Sequence, residues 1–312
     1  MDRYQLTDSS IWTGRIDSQT DISQYRVHQI VKPIHIHQLP NYGPGFSLLG
    51  YACDEGVRRN KGKVGAVDGP QAFRKALANL AAHDIAAIHD LGDITCHDAN
   101  LGSTQAQFSE IVAKALLAKQ QLVVIGGGHD IAYGHFNGIR KALGNEAKIG
   151  IINFDAHFDL REVKEHPSSG TPFWQIAQEE DDFNYCCIGI QRSGNTKKLF
   201  DTAKENDVLV IERNSMADKD SQSLVQHFIA SIDYLYLTVD LDGFDMSLCP
   251  GVSAPTVNGF TFQEIIPFLH LITESKKLIS MDIAELNPHY DREQQTAKMA
   301  AYLTDEVMNK WS

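Results

Sequence analysis

From about residue 45 almost to the end of the chain, short apolar runs alternate with amphipathic stretches. Eight runs read as strands: "FSLLGYAC", "IAAIHDLGD", "QLVVIGGG", "KIGIINFDAH", "NYCCIGIQ", "DVLVIE", "DYLYLTVDLD" and "LISMDIAEL". Between and after them lie helix-like stretches such as "TQAQFSEIVAKALLAKQ", "DIAYGHFNGIRKALG" and "EQQTAKMAAYLTDEVMNKW". Continuous apolar runs suit strands buried on both faces, and the 3.6-residue pattern suits helices that cover them. The alternation predicts an α/β fold, a three-layer α/β/α sandwich around a mainly parallel sheet of about eight strands. Residues 1–43 break the pattern: they are polar and proline-punctuated, with Pro33 and Pro40 in "KPIHIHQLPNYGPG". The expectation is an irregular N-terminal segment over 1–43 and a single domain over 44–312.

Open α/β sheets bind ligands where their strands end at the carboxyl edge. Several runs end there in polar residues that a buried strand should avoid. "IGIINFDAHFDLR" (149–161) closes with Asp155, His157 and Asp159 at alternate positions, and "LTVDLDGFD" with Asp240 and Asp242. Period-2 spacing puts each alternating set on one face of an extended chain. "QLVVIGGGHD" ends in three glycines and His129. Singly, such patterns also fit a solvent-facing strand or a His–Asp hydrogen-bond network. Together they gather four carboxylates, which desolvation and mutual repulsion oppose unless cations compensate them. Two divalent ions balance four negative charges. A His/Asp set without thiolates favours an ion such as Mn²⁺ over a structural zinc, and a water shared between two such ions ionises near neutral pH.

The overall balance narrows the partners. A formal charge of −12 over 312 residues argues against nucleic acid or an anionic membrane as partner. No apolar run approaches the roughly 18 residues of a membrane span, and "MDRYQLTDSS" carries no apolar leader, so a cytoplasmic protein is expected. Five cysteines without a CxxC pair read as reduced thiols. Gly126–Gly128 make neither a GxGxxG fingerprint nor a P-loop, and suit close backbone approach beside His129.

"GGGHD", "DAHFD" and "DLDGFD" resemble, in order, the metal-binding signatures of the ureohydrolases, the arginase and agmatinase superfamily. The resemblance runs from about residue 45 to the C-terminus. It implies an arginase-like fold, two Mn²⁺ ions per subunit, a small-molecule substrate and a homo-oligomer. His129, Asp155, His157, Asp159, Asp240 and Asp242 match metal ligands, with Asp155 and Asp240 as the bridging carboxylates. Glu285, in "SMDIAELNP", matches the glutamate that accepts hydrogen bonds from the substrate's cationic nitrogens. Asp159 is the candidate to carry a proton to the leaving amine, and Asp282 reads as a structural group rather than a ligand.

Within the family, "CDEGVRRNKGKVGAVDGPQAFRKAL", "SSGTPF", "GIQRSGNT" and "CPGVSAP" look closest to the formimidoylglutamase branch. That branch hydrolyses N-formimidoyl-L-glutamate to L-glutamate and formamide in histidine degradation. Such a substrate carries an amidinium and two carboxylates, so Arg58, Arg59, Asn60, Arg192 and Asn195, beyond two strand ends, are candidate binding residues. Surface solvation or an oligomer contact is the competing reading for each arginine. Ser169 stands before "GTPF" where arginases and agmatinases have histidine, which removes a proton shuttle and counts against arginase activity. Agmatinase or another urea-releasing ureohydrolase is the alternative activity. A metal-free binding protein on the same fold is the alternative class.

Overall fold

The computed structural model describes residues 3–311; Met1, Asp2 and Ser312 lie outside the description. Among the described residues ten strands form one sheet: β1 (Tyr4–Gln5), β2 (Val31–Pro33), β3 (Gly45–Ala52), β4 (Ile88–Thr95), β5 (Gln120–Gly126), β6 (Ile149–Phe154), β7 (Asn184–Ile190), β8 (Leu209–Glu212), β9 (Tyr234–Asp240) and β10 (Leu278–Ala284). Their order is β1-β4-β3-β5-β10-β9-β6-β7-β8, with β2 also on β4. Every pairing is parallel except β1 with β4.

The helices are α1 (Val27–Ile30), α2 (Glu55–Arg59), α3 (Gly69–Leu77), α4 (Leu101–Leu117), α5 (Ile131–Leu143), α6 (Pro172–Glu179), α7 (Lys197–Glu205), α8 (Lys219–Ala230), α9 (Phe262–Glu274) and α10 (Gln295–Met308). Two apolar cores lie on opposite faces of the sheet. Leu48 and Val123 join the core under α3, α8, α9 and α10; their neighbours Leu49 and Val124 join the one under α4–α7. That alternation is the pleat of a doubly covered strand.

The eight apolar runs are β3–β10. The expectation of an irregular 1–43 needs correction, because β1 and β2 both add to β4 there. They are two and three residues long, too short for a readable alternation, and the register of β4 supplies the hydrogen bonds. Chain order jumps between β5 and β6, and the late strands β9 and β10 fill the gap. The carboxyl ends of β5, β10, β9 and β6 therefore stand side by side in the middle of the sheet.

Candidate metal centre

Those four ends deliver the unusual residues. His129 follows β5, Glu285 follows β10, Asp240 ends β9 with Asp242 just beyond, and Asp155, His157 and Asp159 follow β6. Ligand atoms of His129, Asp155, Asp159 and Asp240 lie within 4.8 Å of one another, and so do those of Asp155, His157 and Asp242. Nδ1 of His129 is 3.0 Å from Asp240 Oδ2, 3.1 Å from Asp159 Oδ2 and 3.2 Å from Asp155 Oδ2. Nδ1 of His157 is 3.3 Å from Asp242 Oδ1 and 3.4 Å from Asp155 Oδ1. Asp155 thus turns one oxygen to each group. Asp240 Oδ2 faces the first group, and its Oδ1 accepts the Asp242 backbone N–H at 2.8 Å.

The backbone is shaped to bring these groups together. A Cβ on Gly127 would sit 1.7 Å from the Cys53 carbonyl oxygen, so only glycine lets the His129 loop pass over the end of β3. Asp159 and Glu285 both adopt left-handed backbone, with φ of 48° and 65°. Non-glycine residues avoid this region, and its cost is tolerated mainly where a site requires it. Gly127 O accepts the Glu285 N–H at 2.8 Å, and Glu285 Oε1 accepts the His129 N–H at 3.2 Å, which locks the two loops together.

Electrostatically the cluster is frustrated. Burial first, and then neighbouring carboxylates, raises Asp240 and Glu285 well above the usual carboxylate range; burial likewise raises Asp242. Burial also pushes Asp155 upward, but the nearby imidazoles of His129 and His157 hold it below that range. The Asp242 charge pushes His157 up to about 12 against the cost of burial. Burial opposes charge on His129, yet the surrounding aspartates raise it well above its usual value. Among the described residues, no lysine or arginine pairs with any of these carboxylates.

His129 Nδ1, Asp242 Oδ1 and Glu285 Oε2 are all buried without a hydrogen-bond partner. Buried polar atoms seldom go unpaired, and here one imidazole nitrogen faces three anions. Divalent cations in the two pockets would satisfy the His129 and Asp242 atoms and offset the charge, so the donor set fits a pair of hard or borderline metal ions.

A cleft of about 1290 Å³ opens over His157 and Asp159 and is lined also by Arg58, Arg59, Arg161, His166 and Asn195. The expected substrate-binding residues fare unequally. Arg58 is bidentate on Glu55 at 2.6 and 2.7 Å. Arg59 shares Glu55 at 2.7 Å and also donates to the Ala99 and Pro167 carbonyls. Asn60 donates to Ser169 Oγ at 3.0 Å, at the position where the family's histidine is replaced.

Two of them are engaged elsewhere. Asn195 spends its amide on the backbone, accepting from Phe158 N–H and donating to Ala156 O and Gln191 O. Arg192 does not line the cleft: it pairs with Glu212 on the outside, stacks on Phe200, and its side chain is 72% exposed. Sequence reasoning missed Glu55, which pairs with both Arg58 and Arg59, and Arg161. The latter lines the cleft two residues beyond Asp159, and no ion pair among the described residues engages it. A Cβ on Gly170 would lie 2.0 Å from Arg161 Nη2, so glycine makes room for that guanidinium. The signal was a cation beside the richest motif of an acidic chain.

A model described as the arginase family matches residues 44–309. A formimidoylglutamase from Vibrio cholerae is 42% identical, covering 97% of this chain and 95% of its own. One from a Geobacillus strain is 41% identical, covering 98% and 96%. The solved formimidoylglutamase of Bacillus subtilis superposes with a TM-score of 0.81 at 21% identity, covering 94% of both chains. The Trypanosoma cruzi formiminoglutamase, solved with Mn²⁺, does so at 0.77 and 24%, covering 89% of this chain and 98% of its own. This chain belongs to the arginase family.

Proposed function

We propose that this chain is a formimidoylglutamase, which hydrolyses N-formimidoyl-L-glutamate to L-glutamate and formamide. Residues 44–312 act as one catalytic domain with two Mn²⁺ ions per subunit, held by His129, Asp155, Asp159 and Asp240 on one side and Asp155, His157 and Asp242 on the other. The observation that carries the reading is similarity to formimidoylglutamases at 41–42% identity along nearly the whole chain.

Two divalent ions in such a site supply a hydroxide nucleophile from water near neutral pH and polarise the bond under attack. The chain's own residues do the rest. Glu285 Oε2, buried and unpartnered, accepts hydrogen bonds from the amidinium nitrogens and turns the formimidoyl carbon toward the metal pocket. Arg161 meets a substrate carboxylate, since it lines the cleft without an anion of its own. Arg58, with one guanidinium nitrogen not engaged by Glu55, assists. Asp159, whose side chain is 12% exposed, carries a proton to the leaving nitrogen as the C–N bond breaks. Water adds to the amidine carbon, glutamate leaves with its amine protonated, and formamide keeps the other nitrogen.

Product analysis tests the reading. Purified protein with Mn²⁺ is expected to release formamide from N-formimidoyl-L-glutamate and no urea from agmatine or arginine. Urea from either guanidino compound, with no formamide, replaces this reading with the urea-releasing alternative.

A further inference from the structure

Beneath the proposed centre lies a second buried polar network that reaches it at one point. Nε2 of His129, the ring nitrogen turned away from the carboxylates, is 3.1 Å from Thr238 Oγ1. Thr238 donates its hydroxyl proton to Asp282 Oδ1 at 2.6 Å. Asp282 Oδ2 accepts from the Tyr236 hydroxyl and from His135 Nδ1, the latter at 2.5 Å. His135 Nε2 is 2.6 Å from Ser280 Oγ, which donates to Leu122 O at 3.0 Å. None of Thr238, Tyr236, Asp282, His135 and Ser280 has exposed surface.

The sheet register builds this network. Tyr236 pairs with Ser280 and Thr238 with Asp282 across β9 and β10, so both i, i+2 sets face α5, which carries His135. Donor accounting then fixes the protons. A hydroxyl has one proton, and Thr238 gives its own to Asp282, so its oxygen can only accept from His129 Nε2–H. Ser280 likewise accepts from His135 Nε2–H, so both ring nitrogens of His135 donate. Asp282 is a buried carboxylate closed by three donors, and its pull through Thr238 puts the His129 proton on Nε2.

We infer that Thr238 and Asp282 are positioning residues: they fix the tautomer of His129 with Nδ1 free for a cation, and so set the Mn²⁺ affinity of that pocket. The inference rests on the two-metal reading above. Residues that orient a metal-binding imidazole typically govern affinity by 10–100-fold.

The test is calorimetric titration of metal-stripped protein with MnCl₂, on wild type, Thr238→Val and Thr238→Ser. The valine variant keeps the shape and loses the acceptor; the serine variant keeps the acceptor. Expected are an affinity loss of about 10–100-fold at one of two sites in Thr238→Val, near-wild-type affinity in Thr238→Ser, and recovery of turnover in the valine variant at saturating Mn²⁺. A packing role would lower the melting temperature of the metal-free valine variant and leave its Mn²⁺ affinity alone. Wild-type affinity at both sites in Thr238→Val overturns the inference and leaves the two-metal reading standing. A wild type that binds no Mn²⁺ overturns that reading and the inference with it. If Thr238→Val does not fold, Thr238→Ala removes the same hydroxyl: weaker Mn²⁺ binding supports the relay, and unchanged binding overturns it.

Discussion

Two buried acidic clusters in this molecule are handled in opposite ways. Between β4 and α3, Asp90 and Asp93 face Arg74, which is 3% exposed. Arg74 meets Asp90 with two bonds of 2.9 Å and Asp93 with one of 2.7 Å, and Trp12 Nε1 and the Gly92 N–H complete Asp90. That cluster is closed by the chain itself. At the ends of β5, β6, β9 and β10, four aspartates and Glu285 meet two imidazoles and, among the described residues, no arginine or lysine, and three buried polar atoms go without partners. The first cluster has the chemistry of a structural anchor. The second is complete only with something added, and its unpaired atoms say that the addition is cationic.

The contrast breaks most sharply at Asp155. Asp155→Ala should lower turnover by about 10³-fold or more and abolish the pair of Mn²⁺ sites; metal analysis and a formamide assay read both. Arg74→Met should do the reverse. Leaving Asp90 and Asp93 without their cation should cost about 3–5 kcal/mol of stability in urea unfolding, with Mn²⁺ content unchanged. Adding Mn²⁺ at about 100 times its Kd should raise stability by about 2.7 kcal/mol per site in wild type and Arg74→Met, and by little in Asp155→Ala.

Arg161→Ala should raise KM about tenfold with kcat nearly unchanged, the pattern of lost uniform binding. Arg192→Ala should leave both constants near wild type, because its guanidinium is occupied by Glu212 outside the cleft.

The smallest effect belongs to an ion pair between buried Arg3 and exposed Asp98. A hydrogen bond from Arg3 lowers Asp98 to about 2. A depressed carboxylate contributes stability above its unfolded value of about 3.9 and loses it as pH falls through the folded value. Asp98→Asn should therefore lower stability slightly at neutral pH, and its difference from wild type should vanish as pH falls from about 4 to about 2.

Much of this was legible in the chain. The eight buried strands were continuous apolar runs, and their carboxyl ends held residues no apolar core would keep. What escaped was set by tertiary context. β1 and β2 are too short to carry a period, and the five-residue helix α2 completes little more than one turn. The fate of Arg192 and Asn195 depended on side-chain direction after β7, whose pairing with β8 shifts register at Gly189 (φ 107°). Spacing along the sequence does not encode that direction. Arg161 lay inside the most informative stretch and in phase with Asp155, His157 and Asp159, but its positive charge does not fit a cation-binding set and so drew no role. Asp282 reads from the sequence as a structural group; its link to His129 through Thr238 depends on the β9–β10 register.

The central claim is that the open acidic cluster is a two-metal hydrolytic site. Titrating chelator-stripped protein with Mn²⁺ while following formamide release from N-formimidoyl-L-glutamate tests it most directly. The account predicts two Mn²⁺ per chain, with formamide release rising as the sites fill. Saturation at fewer than two ions, or full formamide release from the stripped protein, would contradict it.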